Sequence, residues 1–121
     1  CNDVSAGPDS GQICILINQS DVTGTVQALV RFNSYSGSLF NVSVNDLVLN
    51  RNGKVVKSTG PTGGPPNNGT NDYISTGWYY PLVSAYFWSD VEDPCMTWPN
   101  GFSGCVYGWF QSNTVLIYGL V

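Results

Sequence analysis

The apolar residues of this chain recur with a period of two over short stretches, separated by Gly, Pro, Asn and Ser, and that pattern predicts strands. From Thr23 to Asn33, Val26, Ala28, Val30 and Phe32 alternate with Gln27, Leu29, Arg31 and Asn33. One side of this strand is apolar, and Leu29 is the exception on the other. Cys14-Ile-Leu-Ile17 reads as the start of the first strand, after an irregular N-terminal arm over residues 1–11, which are rich in Gly, Asp, Ser and Pro. A Ser-Tyr-Ser-Gly turn at 34–37 leads to strands over Leu39–Val44 and Asp46–Leu49. Asn52-Gly53 then stands between Leu47-Val-Leu49 and Val55-Val56, the composition favoured by a two-residue type I′ turn because both central residues need positive φ. A simple ladder through that turn sets Leu49 opposite Val56.

Residues 58–77 carry little apolar content before Tyr73 and Ile74 and read as a long Gly/Pro/Asn-rich surface loop, or else as a crossover between sheets. The aromatic second half supplies three or four more strands, in Trp78–Tyr80, Leu82–Trp88, Cys105–Phe110 and Thr114–Tyr118. No window shows the i, i+3, i+4, i+7 stripe of an amphipathic helix. Seven to nine short strands in 121 residues make one all-β domain, 1–121, with the fold class of a two-sheet β-sandwich with Greek-key connections, immunoglobulin-like or jelly-roll-like. A closed barrel is the alternative. The run Gly24–Phe32, followed by Asn52-Gly-Lys-Val-Val56, resembles immunoglobulin-like sandwiches generally; the resemblance implies a fold and no function. Phe87, Trp88, Trp109 and Phe110 are expected in the core.

Four cysteines stand at 1, 14, 95 and 105, and their closeness in pairs makes Cys1–Cys14 and Cys95–Cys105 the economical pairing among three connectivities. A four-cysteine zinc site is the competing reading, but such sites use C-x2-C spacing, and here 12 and 9 residues separate the partners. Oxidised pairs imply an extracellular or cell-surface location. Cys1 at the start fits a processed N-terminus, or alternatively a lipid-bearing cysteine that would leave Cys14 unpaired.

Charged residues are only 10% of the chain, so its polar surface rests on neutral Ser, Thr, Asn and Tyr. The only cations are Arg31, Arg51, Lys54 and Lys57 against a net charge of −4, too few to neutralise a phosphate backbone or anionic lipid. Nucleic acid is excluded as a partner, and no apolar run is long enough to predict a membrane span. With no histidine, Ser-His-Asp and Cys-His catalysis and His-ligated metals are excluded within the chain, and the expectation is a protein that is not an enzyme. Glu92 is the only glutamate, and its acidic neighbours Asp90 and Asp93 share one segment, a weak basis for a glycosidase pair. As oxygen donors, Asp90, Glu92 and Asp93 could hold calcium, but an EF-hand pattern is lacking and a solvated acidic turn before the disulfide is the favoured reading, so no cofactor is expected beyond that calcium alternative.

Three N-x-[ST] sequons, at Asn18, Asn41 and Asn68, are candidate glycosylation sites, with Asn68 in the long loop best placed. Trp78, Tyr79, Tyr80 and Trp98 are candidate ligand-binding residues, because exposed aromatic rings grip sugars and proteins. Trp98 lies inside the loop closed by Cys95 and Cys105 and is expected at the surface, on a rigid tip. The leading functional expectation is a structural subunit of an extracellular assembly such as a pilus, filament or coat, partnered by copies of itself. A carbohydrate-binding or adhesin module that takes surface glycans, and a secreted protease inhibitor presenting the Cys95–Cys105 loop, are the alternatives.

Overall fold

The computed structural model describes residues 1–20, 24–36, 40–64 and 71–119. Among these the chain is all-β, and no helix is long and apolar enough to cross a membrane. The strands are β1 (Asn2–Ala6), β2 (Asp9–Gln19), β3 (Val26–Ser34), β4 (Asn41–Val44), β5 (Asp46–Arg51), β6 (Lys54–Ser58) and β7 (Thr62–Gly63), followed by β8 (Asn71–Ser75), β9 (Ala85–Glu92), β10 (Cys95–Thr97), β11 (Ser103–Cys105), β12 (Trp109–Gln111) and β13 (Val115–Ile117). All pairings are antiparallel.

One sheet has the order β1-β2-β3-β8. The remaining strands form two groups, β11-β10-β4-β7 and β12-β9-β5-β6, with β13 also on β9. These two groups are consecutive segments of one bent layer. Only Asn45 separates β4 from β5, only Asp93-Pro94 separates β9 from β10, and the same neighbours pair on both sides of those breaks. One carboxylate braces the bend beside the backbone hydrogen bonds that cross it, from Asn45 N–H to Glu92 and from Asp93 N–H to Gly108. Asp93, at φ 48°, accepts hydrogen bonds from Asn45 Nδ2 (2.7 Å) and from the Gly108 amide (2.6 Å), so it ties three adjacent strand lines together. Asp46 extends the line to the fourth, accepting from Ser58 Oγ (2.7 Å) and the Gly60 amide (3.0 Å).

The two layers pack through the apolar side of each, β2 and β3 lying against β9 and β5. Val26, Ala28, Val30 and Phe32 are fully buried, as their alternation predicts. They meet Leu47, Leu49, Phe87, Val91 and Ile117 from the bent layer in one continuous core. Within that core the buried Ser89 hydroxyl donates to the Leu16 carbonyl (2.7 Å), a satisfied polar tie between layers. β3 and β8 lie side by side although β4–β7 intervene in the chain, a crossover of Greek-key type.

Several local expectations are corrected. Residues 1–11 are not an irregular arm: β1 and the start of β2 form a hairpin around Gly7-Pro8, with Gly7 at φ 62°, and Val4 and Ala6, two apart, face inward. The 58–77 stretch is not all loop, since β7 and β8 lie within it, each adding a strand to a different layer. The Asn52-Gly53 turn has the expected positive φ at both residues (51° and 88°). Its register differs, because a bulge after Leu49 pairs Leu49 with Lys57 and Asn50 with Val55.

Both disulfides are the expected ones, Cys1–Cys14 and Cys95–Cys105, with Cα–Cα distances of 4.0 and 4.1 Å. The second closes a directly opposed pair of β10 and β11, and the first sits one position beyond the Asn2–Ile13 pair. Each therefore locks the register of a hairpin. Two disulfides are compatible with an extracellular location.

Candidate functional site

The expected site residues separate into buried and exposed sets. Trp98 is 1% exposed, which corrects its placement on a surface tip. Its indole turns inward between the layers, where Nε1 donates to Ser34 Oγ (3.2 Å), and Gly104 leaves room for the ring. Around it the loop folds back rather than protruding: the Trp98 amide donates to the Phe102 carbonyl (3.0 Å), Asn100 Nδ2 donates to Asp9 (2.7 Å), and the Phe102 ring covers Gly7. Trp98 is thus a core residue and unavailable for stacking on a ligand. Tyr79 is half-buried, bridging Val26 through two backbone hydrogen bonds with its ring 5.9 Å from that of Phe87. Trp78 (40% exposed) and Tyr80 (62%) flank it and remain accessible at the edge of the first sheet.

Asp90, Glu92 and Asp93 do not converge. Among the described residues no group of three acidic, cysteine or histidine side chains is placed to hold a metal ion. Asp93 is committed to the bend, and Asp90 accepts from Asn50 Nδ2 (2.7 Å). Asn41 is exposed and Asn18 half-buried; Asn68 lies outside the described residues.

The strongest exposed feature lies elsewhere, on the outer face of the bent layer. Along β9, Ala85, Phe87, Ser89 and Val91 are buried, so Tyr86, Trp88, Asp90 and Glu92 point outward. In register beside them, β13 sets Leu116 against Tyr86, β12 sets Trp109 against Glu92 and Gln111 against Asp90, and β5 sets Asn50 against Trp88. Tyr86 is 55% and Trp109 53% exposed, while Trp88 is half-buried with its indole tip over the Gly53 turn. Trp109 is corrected from core to surface, and Trp88 from core to outer face. Tyr86 and Trp88 are about 7 Å apart along the strand and Trp109 lies about 13 Å further on, on the next strand. Between Trp88 and Trp109 stand Asp90 and Gln111, and Asn50, buried beside Trp88 on the β5 side, holds Asp90 in place through its hydrogen bond. The turn below is fixed too, the Asn52 side chain accepting from the Tyr86 amide (2.9 Å) and its own amide donating to the Tyr86 carbonyl (2.8 Å).

Such a face can stack aromatic rings on flat apolar surfaces and offer amide and carboxylate groups to hydroxyls. It holds no nucleophile with a paired base. Compared with known proteins, the chain matches no family model, no curated protein and no solved structure.

Proposed function

We propose that this domain is a non-catalytic, extracellular carbohydrate-binding module whose outer β9 face takes an extended oligosaccharide. The observation that carries the reading is the combination of Tyr86, Trp88 and Trp109 on one face with Asp90 and Gln111 between Trp88 and Trp109. Sugar rings present an apolar C–H face and an equatorial rim of hydroxyls, and this surface answers both. The rings stand on strands of a disulfide-locked sandwich, so little ordering entropy is lost on binding.

The competing reading, a subunit of a surface assembly, is favoured by the exposed Tyr107, Leu116 and Tyr118 along the 103–118 edge. That edge is interrupted between β11 and β12 and again between β12 and β13, and the opposite edge carries Lys54, Lys57 and a bulge beside it. Interruptions, lysines and bulges are the devices that keep sheet edges from pairing. They support the binding reading over assembly by strand addition.

Retention on insoluble cellulose, chitin and xylan tests the proposal. The protein is expected to deplete onto at least one of them, and Trp109→Ala is expected to weaken that binding at least tenfold while leaving the fold intact. Indifference to all three, or a Trp109→Ala variant that binds as well as the parent, contradicts it. Regular multimers by size-exclusion and electron microscopy would favour the assembly reading instead.

A further inference from the structure

The outer face of the other sheet carries a second cleft of about 400 Å³, lined by Asn18, Gln27, Leu29 and Arg31 and by Asn71, Asp72 and Tyr73 at the start of β8. That volume is within the range of small-molecule sites, roughly 300–1,000 Å³. Leu29 breaks the alternation of β3 and stands on the outer face, opposite Leu16 of β2, so the floor of the cleft is apolar where a solvated sheet face is polar. Arg31 pairs in register with Tyr73, which is 63% exposed, and this sets a guanidinium beside an open aromatic ring. Asn18 pairs with Gln27 at the other end and supplies two amides.

Arg31 makes no ion pair or side-chain hydrogen bond among the described residues, in a chain with four cations and a net charge of −4. The acidic neighbour, Asp72, has the opposite strand parity. It pairs with the inward Phe32, and its carboxylate turns toward Gly64 on the far side of β8. The cleft therefore presents one guanidinium unpaired among the described residues, with the carboxylate of its acidic lining residue, Asp72, directed to the other side of β8. An arginine fork matches an oxyanion bidentately, an aromatic ring and a leucine suit the C–H face of a pyranose, and paired amides suit its hydroxyls.

We infer that this cleft binds an acidic sugar residue, with its oxyanion on Arg31, its ring on Tyr73 and Leu29, and its hydroxyls on Asn18 and Gln27. The site is separate from the β9 face, so either can fail without the other. Asn18 also begins a sequon, and a glycan there would fill the cleft; the test uses protein from a host that does not N-glycosylate.

Amide chemical shifts and affinities are followed for the intact protein during titration with the methyl glycosides of glucuronic acid and N-acetylneuraminic acid, with glucose 6-sulfate, and with neutral methyl glucoside. At least one acidic sugar is expected to shift the Leu29, Arg31 and Tyr73 amides, with the neutral sugar at least tenfold weaker. Whether the carboxylates or the sulfate bind best identifies the source of the oxyanion. Arg31→Gln is expected to weaken binding at least tenfold and Arg31→Lys by less. Lys54→Gln removes an equal charge from the far sheet and is expected to leave binding unchanged. Circular dichroism checks that the exposed Arg31 variants stay folded. The inference is overturned if no acidic sugar moves those amides, if the neutral sugar binds equally, or if Arg31→Gln binds as the parent does.

Discussion

Replacing Trp98 with alanine is expected to lower the unfolding free energy by about 3–5 kcal/mol. Trp98 heads the fully buried side chains of the core, so truncation removes the largest transfer contribution and opens a cavity between layers that strands cannot readily close. The Ser34 hydroxyl also loses its donor. Trp98→Phe keeps most of the packing and loses the hydrogen bond, and is expected to cost less. Urea denaturation of the two variants beside the parent measures both. A Trp98→Ala midpoint close to the parent's would mean the indole is not buried as described.

Removing the disulfides is the second large effect. Each closes a short loop, with sequence separations of 13 and 10, and loop-closure entropy then gives about 3 kcal/mol apiece. Losing both would take about 6 kcal/mol from a domain whose class has only about 5–15 kcal/mol in total. Replacing Cys95 and Cys105 with serine is expected to lower stability by about 3 kcal/mol. Replacing all four cysteines is expected to leave the domain largely unfolded at 37 °C. Thermal melts followed by circular dichroism check this, and a four-serine variant that melts like the parent would contradict it.

The β3 core face was legible because its apolar residues alternate without a break on one side, and the disulfide pairing because each pair is local. The aromatic strands were harder. Apolar content alone places Phe87-Trp88 and Trp109-Phe110 in the core, yet adjacent residues on a strand face opposite ways. Since Phe87 is buried, Trp88 had to be outside, and the same parity separates Trp109 from Phe110. Applied strictly, period two would have found the outer face of the bent layer. Trp98 is hidden for a different reason: a short disulfide loop looks like a surface tip in sequence, and nothing local says that it folds back. The N-terminal hairpin was hidden by Gly-Pro, which punctuates a turn as well as an arm. The bend at Asn45 and Asp93 joins residues 48 apart, and no local pattern carries it. Leu29, by contrast, stood out in the sequence as the one break in alternation, and it floors the second cleft.

The central claim is that the β9 face, and not the disulfide loop, meets a glycan. Four tryptophans give four indole N–H resonances, so titration with soluble oligomers of cellulose, chitin or xylan, followed by ¹⁵N NMR, reads each one separately. The account predicts that the Trp88 and Trp109 indoles shift together and saturably while the buried Trp98 indole stays still. Movement at Trp98 with none at Trp88 and Trp109, or no movement at any of the four, would contradict it.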